Sequence, residues 1–122
     1  MSKIVVAVNV MIMNPDKITS VLHGANEDEV FFLYDKKHKW SLFKNGDNII
    51  LSYYPGKNSL EFLASIPAEE WESGIDMVMY NSKEIGTKEA KASFNELYTL
   101  LQNKKYGMDE ILDEIISSDI PF

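Results

Sequence analysis

The clearest pattern of apolar and polar positions lies between residues 29 and 54. Three apolar segments, EVFFLYD, KWSLFK and DNIILSYY, are separated by short polar stretches. Alternation bounded by turn residues is typical of antiparallel strands joined by hairpins. Asn45-Gly46 is a favoured central pair of a two-residue hairpin turn. Both central residues of such a turn need a positive φ, and Asn and Gly adopt it more readily than other residues. The pattern predicts a β-meander over 29–54, with Leu42 opposite Ile49.

Two further segments are apolar at almost every position. Residues 3–13 read KIVVAVNVMIM, and residues 75–80 read IDMVMY. β-branched residues favour strands, and apolar positions on both faces are typical of a central strand that is covered on both sides. We therefore expect both segments to be strands in the same sheet as the meander.

The segment between residues 3–13 and the meander begins with Asn14-Pro15 and ends before Gly24. An N-cap Asn, a Pro at the first helical position and a Gly just past the end favour a short helix over 15–23. The β-branched residues in the segment leave a strand as the alternative.

The C-terminal third predicts two helices. After Thr87, apolar residues recur with the 3.6-residue period of an amphipathic helix, and Gly107 is placed to end it. The stripe consists of Ala90, Phe94, Leu97, Tyr98 and Leu101. A second helix follows, and its predicted inner stripe is Met108, Ile111, Leu112, Ile115 and Ile116.

These elements predict an α+β fold with a mostly antiparallel sheet, in a single domain over 1–122. The two C-terminal helices are expected to pack mainly on one face of the sheet. The short helix at 15–23 or a second copy of the chain would then cover the other face, so a homodimer is one expectation.

The charge of the chain is unevenly distributed. The formal net charge is −7, and all of it falls in residues 62–122, because lysines and carboxylates balance in residues 1–61. Net charge bears on association and solubility rather than on fold. The asymmetry favours a basic partner. The chain has no cysteine, which excludes disulfides and thiolate chemistry.

The densest acidic cluster lies in the last predicted helix. Asp109, Glu110, Asp113 and Glu114 stand at i, i+4 spacing and share one flank. Glu69, Glu70 and Glu72 form a second cluster. The simplest interpretation is a solvated face. The functional interpretation is a docking surface for a basic protein, with the charge distribution of small inhibitors of the immunity-protein or antitoxin kind. No metal site is expected, since the spacing is not that of an EF-hand loop.

The meander offers an alternative binding surface. It holds seven of the fourteen aromatic residues of the chain. An aromatic platform binds small ligands or peptides, and Trp40, Tyr53 and Tyr54 are the expected contacts. Nucleic acid is not expected as a partner, because the chain has no arginine and a net charge of −7.

Catalysis has little support in the sequence. His23 and His38 are the only histidines, and neither belongs to a recognisable nucleophile, zinc or phosphate motif. An enzyme built on these histidines and unrecognised carboxylates is the second alternative. No cofactor is expected.

The apolar N-terminal segment is interpreted as part of the fold. It is too short to span a bilayer, and Asn14-Pro15-Asp16 follows where a signal peptide would carry small residues. A cytoplasmic location is expected. Together these features predict a non-enzymatic interaction module.

Overall fold

Five antiparallel strands form one sheet in the computed structural model of the protein, which describes residues 2–25, 28–66 and 75–118. The strands lie side by side in chain order. They are β1 (Ile18–His23), β2 (Glu29–Tyr34), β3 (His38–Asn45), β4 (Asn48–Tyr53) and β5 (Val78–Asn81). The helices are α1 (Lys3–Met13), α2 (Leu60–Ser65), α3 (Ser82–Ile85), α4 (Lys88–Lys105) and α5 (Met108–Ser118). The predicted α+β class is confirmed.

The predicted meander is also confirmed, but the pairing of β3 with β4 differs by two residues. Leu42 pairs with Leu51, and the turn is centred on Gly46-Asp47. Gly46 has a φ of +61°, whereas the φ of Asp47 is not positive. This is the pattern of a type II′ turn, which needs glycine only at its first central position. Because the side-chain period of a strand is two, every residue keeps the face that was expected.

The prediction of a strand at 3–13 is wrong, because this segment forms helix α1. Its buried residues Val5, Val8 and Met11 recur every three positions, as on one side of a helix. An almost uninterrupted apolar segment fits both the helical and the strand period, so its pattern could not decide. Packing beside α4, where Ser93 Oγ donates to Asn9 Oδ1 at 2.7 Å, outweighs the β-propensity.

The prediction of a helix at 15–23 is wrong as well. Pro15–Lys17 forms one 3-10 turn, and the chain then enters β1. The strand preference of the β-branched residues outweighs the helix signals of this segment, because β2 provides a hydrogen-bonding partner along its length. The strand is irregular: its register shifts between Thr19 and Leu22, and Ser20 has a φ of +54°.

The strand predicted at 75–80 is shorter and less buried than expected. It forms β5 over Val78–Asn81, at the edge of the sheet beside β4. Val78 is 45% exposed and Met79 is 63% exposed. The expectation that both faces of this strand are covered is therefore wrong.

Helices cover both faces of the sheet. On one face, α1 and α4 enclose a core that includes Val8, Phe32, Leu51 and Phe94. On the other face, α2 packs Leu60 and Leu63 against Phe31 and Tyr54. Thus α2, rather than residues 15–23, covers the second face. No helix among the described residues has the length and apolar character that crossing a membrane requires.

Candidate functional site

Helix α5 displays its apolar side to solvent. The apolar stripe of this helix was expected to face inward, but four of its residues are exposed. Ile111, Leu112, Ile115 and Ile116 are 41%, 48%, 60% and 66% exposed. The exposure of these four side chains increases toward the C-terminal end of the helix. The prediction of a helix is confirmed, and the prediction that its apolar stripe packs on the sheet is wrong.

The acidic residues of α5 occupy the opposite side of the helix. Glu110, Asp113 and Glu114 are all exposed, and none forms an ion pair with another described residue. The side chain of Asp109 and the cluster Glu69, Glu70 and Glu72 lie outside the described part of the structure. At a rotation of 100° per residue, Glu110 and Glu114 each lie about 160° around the helix from Leu112. The helix is therefore amphipathic, with both sides accessible.

An isolated helix of this length is marginal in water. It has 11 residues, and helices shorter than about 12–15 residues depend on packing of their apolar side for most of their stability. Full burial of one leucine or isoleucine side chain stabilises by about 1.5–3 kcal/mol relative to exposure. Most of this stabilisation is not realised in α5 within the described chain.

A second feature is a cleft of about 450 Å³ between α1 and the sheet. Its α1 side is aliphatic, with Ala7, Val10 and Met11. Its sheet side is mostly aromatic and consists of Tyr34, His38, Trp40, Tyr53, Val78 and Tyr80. A concave site of this size that is lined mainly by apolar groups is the usual form of a small-molecule site.

The aromatic residues of the cleft contact one another. The ring centroids of Trp40 and Tyr53 are 4.8 Å apart and the planes are inclined by 59°. His38 Nδ1 lies 3.3 Å from Tyr53 Oη. Trp40 and Tyr53 are thus brought together, as expected for the aromatic platform. Such pairs contribute about 0.5–1.5 kcal/mol beyond their burial and hold the rings in place.

Tyr54, the third expected ligand contact, lies on the opposite face of the sheet. It is 2% exposed beneath α2, stacks on Phe31 and forms a 2.7 Å hydrogen bond between its hydroxyl and Ser41 Oγ. Burial raises the pKa of Tyr54 far above its usual value, although the Ser41 hydrogen bond acts in the other direction. Tyr54 is part of the core, since adjacent residues of an extended chain point to opposite faces.

Two hydrogen-bond donors of residues that line the cleft have no acceptor among the described residues. The indole Nε1 of Trp40 is buried and has no hydrogen-bond partner among the described residues. The second donor follows from the His38–Tyr53 contact. If the Tyr53 hydroxyl donates to Nδ1, the neutral imidazole carries its proton on Nε2; if Nδ1–H donates, the hydroxyl proton remains.

The two histidines do not form a common site. His23 is opposite Val30 near the start of β2, and His38 is opposite Tyr34 at its end. The four-residue separation along β2 corresponds to about 13 Å. His23 Nδ1 lies 3.0 Å from Lys105 Nζ. Among the described residues, no group of three or more His, Cys, Asp or Glu side chains is arranged to hold a metal ion.

Sequence reasoning missed part of the cleft. Tyr34 and His38 could have been found, because they flank the β2–β3 turn and share the face of Trp40 by strand alternation. Val10 could not be found while residues 3–13 were interpreted as a strand.

Neither the protein-family models, the curated proteins nor the solved structures include a match to this chain.

Proposed function

We propose that this protein is an interaction module that binds a basic partner protein through helix α5. The exposed apolar stripe of α5, set against exposed carboxylates, carries the proposal. The partner offers an apolar groove with lysine or arginine side chains on its rim. Charge alone suggested the acidic side as the docking surface, whereas the exposure of Ile115 and Ile116 adds an apolar contact.

Two physical effects would act in this complex. Burial of the apolar stripe supplies most of the affinity, as in other complexes in which an amphipathic helix occupies a groove. The carboxylates accelerate encounter and reject acidic competitors, and this contribution decreases with salt. Inhibition of a cationic target, as by immunity proteins and antitoxins, is the specific role that we propose.

The test compares capture of proteins from native lysate by wild type and by α5 variants. Ile115→Ser/Ile116→Ser removes part of the apolar stripe, and Asp113→Lys/Glu114→Lys reverses the charge of the acidic side. Glu89→Lys/Glu96→Lys is the matched control, because it changes the net charge equally at exposed positions on α4. Circular dichroism establishes that each variant is folded.

We expect one basic protein that binds wild type and the α4 control but neither α5 variant. Raising the salt concentration should weaken its binding to wild type. Equal capture by all four proteins, or a specific partner with no basic surface, would contradict the proposal.

A further inference from the structure

Strand β5 forms one edge of the sheet, and no strand lies on its outer side in the described part of the chain. The β3–β4 hairpin fixes which backbone groups reach that outer side. Its two-residue turn makes Asn45 and Asn48 a hydrogen-bonded pair, and hydrogen bonding alternates along an antiparallel strand. The backbone groups of Leu51 and Tyr53 therefore point toward β5.

The same alternation continues in β5. Tyr80 is opposite Leu51 and Val78 is opposite Tyr53, so both use their backbone groups within the sheet. Met79 lies between them, and its N–H and C=O point away from β4. Neither group has a hydrogen-bond partner among the described residues. Unpaired backbone groups at a sheet edge are a template for another strand.

The two edges of the sheet differ in how they are protected against such pairing. Strand β1, at the other edge, has a register shift, and Ser20 within it has a φ of +54°. Irregularities of this kind discourage pairing with another chain. Strand β5 carries no charged residue, no proline and no positive φ. Its outer edge is therefore the one that accepts a further strand.

We propose that β5 pairs antiparallel with β5 of a second copy of the chain. The two-fold axis passes between the two Met79 residues, so the two five-stranded sheets become one continuous sheet. This interface does not involve α5 and is independent of the docking function proposed above.

The side chains along this axis are compatible with each other. Met79 faces Met79 of the second copy, and Val78 faces its Tyr80. In a single chain Met79 is 63% exposed and Val78 is 45% exposed. Directly opposite side chains of an antiparallel pair lie about 4.5–5.5 Å apart at Cβ, so pairing covers both apolar residues.

The charges of the chain do not oppose this contact. Residues 77–82 include no charged side chain, so no like charges stand opposite each other within the pair. The acidic helix α5 begins just after Lys105, whose Nζ lies 3.0 Å from Nδ1 of His23 on β1. Four strand spacings, about 19 Å, separate β1 from β5. The negative charge is therefore not concentrated at the contact.

A second copy suits this edge better than a disordered peptide does. A second β5 is already a strand and loses little conformational entropy on pairing, whereas a disordered peptide must be ordered first. The strand has only four residues, so the contact is smaller than the roughly 1,000 Å² of a stable interface. We therefore expect a reversible dimer that forms at high protein concentration.

The experiment is sedimentation velocity of the full chain, from about 10 μM to about 1 mM, as suits a small interface. Met79→Lys places two like charges opposite each other on the axis. Met13→Lys is the matched control, because it makes the same change at a methionine of α1 that is 78% exposed. Met79→Pro removes the outward N–H but no hydrogen bond to β4. Circular dichroism establishes that each variant is folded.

We expect wild type and Met13→Lys to dimerise equally. Met79→Lys should weaken the dimer at least tenfold, and Met79→Pro should weaken it about tenfold to hundredfold through the loss of two hydrogen bonds. Hydrogen exchange of the Met79 amide in wild type should slow as the protein concentration rises. A mixture of labelled and unlabelled chains should give an intermolecular NOE between the Hα atoms of Val78 and Tyr80.

Three results would overturn the proposal. The first is a wild-type chain that stays monomeric at about 1 mM, since even small interfaces associate there. The second is a dimer that persists in Met79→Lys and is lost in Ile115→Ser/Ile116→Ser, which would place the contact on α5. The third is slow exchange of the Met79 amide at every concentration, which would mean that the same chain covers this edge.

Discussion

Helices α4 and α5 share the same kind of sequence pattern but have different surroundings. Both carry apolar residues at helical spacing, and both are helical. In α4, Ala90, Phe94 and Leu97 are fully buried against the sheet. In α5, the equivalent residues Ile111, Leu112, Ile115 and Ile116 are 41–66% exposed. Periodicity thus predicts where a helix has an apolar side, but it does not reveal whether this chain or another molecule covers that side.

A matched pair of leucine substitutions tests the difference most strongly. Leu97→Ala in α4 should lower the free energy of unfolding by about 2–5 kcal/mol, because it leaves a cavity in the core. Leu112→Ala in α5 should change it by less than about 0.5 kcal/mol, since Leu112 is 48% exposed. Urea denaturation of the isolated protein measures both. A large loss for Leu112→Ala would mean that α5 is packed in solution.

Tyr53, the last residue of β4, and its neighbour Tyr54 provide a second contrast between exposure and burial. Tyr54→Phe should lower stability by about 1–3 kcal/mol at neutral pH, because the buried Ser41 hydroxyl loses its partner. Tyr53 forms its hydrogen bond in the open cleft, so Tyr53→Phe should cost less. The two variants are compared by denaturant titration at pH 7.

The pH dependence of Tyr54 has a definite sign. Its pKa is raised in the folded state from the ordinary value of 10.0, so its stabilising contribution is complete below pH 10. Above pH 10 the unfolded chain loses this proton and the folded chain does not. Wild type should then lose up to about 1.4 kcal/mol per pH unit relative to Tyr54→Phe. A constant difference between pH 9 and 11 would contradict this.

The N-terminal cap of α4 should have a smaller effect. Thr87 Oγ1 accepts a hydrogen bond from the Ala90 amide at 3.1 Å. Thr87→Ala should cost about 1 kcal/mol, and Thr87→Ser should restore most of it. Thermal denaturation of the three proteins is sufficient. The size of this loss measures how far the stability of the whole domain depends on α4.

The smallest effect is expected on the acidic side of α5. Glu110 and Glu114 are like charges at i, i+4 spacing, which destabilise a helix by about 0.2–0.5 kcal/mol. Glu114→Gln should therefore slow amide hydrogen exchange in α5 at low salt and have no effect at high salt. Slower exchange that persists in high salt would exclude repulsion as the cause.

Several elements could be predicted from sequence because their signals are local. The meander followed from alternation and turn residues, and α4 followed from a Thr cap, a regular stripe and a terminal glycine. The hairpin register failed by two residues because Asn45-Gly46 and Gly46-Asp47 both suit a tight turn. Only the contacts of the flanking strands select one of them.

Strand alternation, which is also a local signal, predicts part of the candidate site. Trp40 and Tyr53 were expected as contacts and do line one cleft, because strand alternation places them on a common face. Tyr54 was expected with them and lies in the core, since α2 covers the face to which it points. No local signal indicates on which face of a doubly apolar sheet a cleft forms.

The sequence by itself determined the strands of the meander, the two C-terminal helices and the concentration of negative charge in residues 62–122. These depend on capping, turn chemistry, periodicity and composition, all of which act between near neighbours. Only the tertiary structure decided that residues 3–13 are a helix, that α1 and the sheet enclose an aromatic cleft, and that α5 remains uncovered. Those outcomes depend on which surfaces meet across the fold. The hydrophobic effect is non-directional, so an apolar residue does not by itself select which apolar surface covers it.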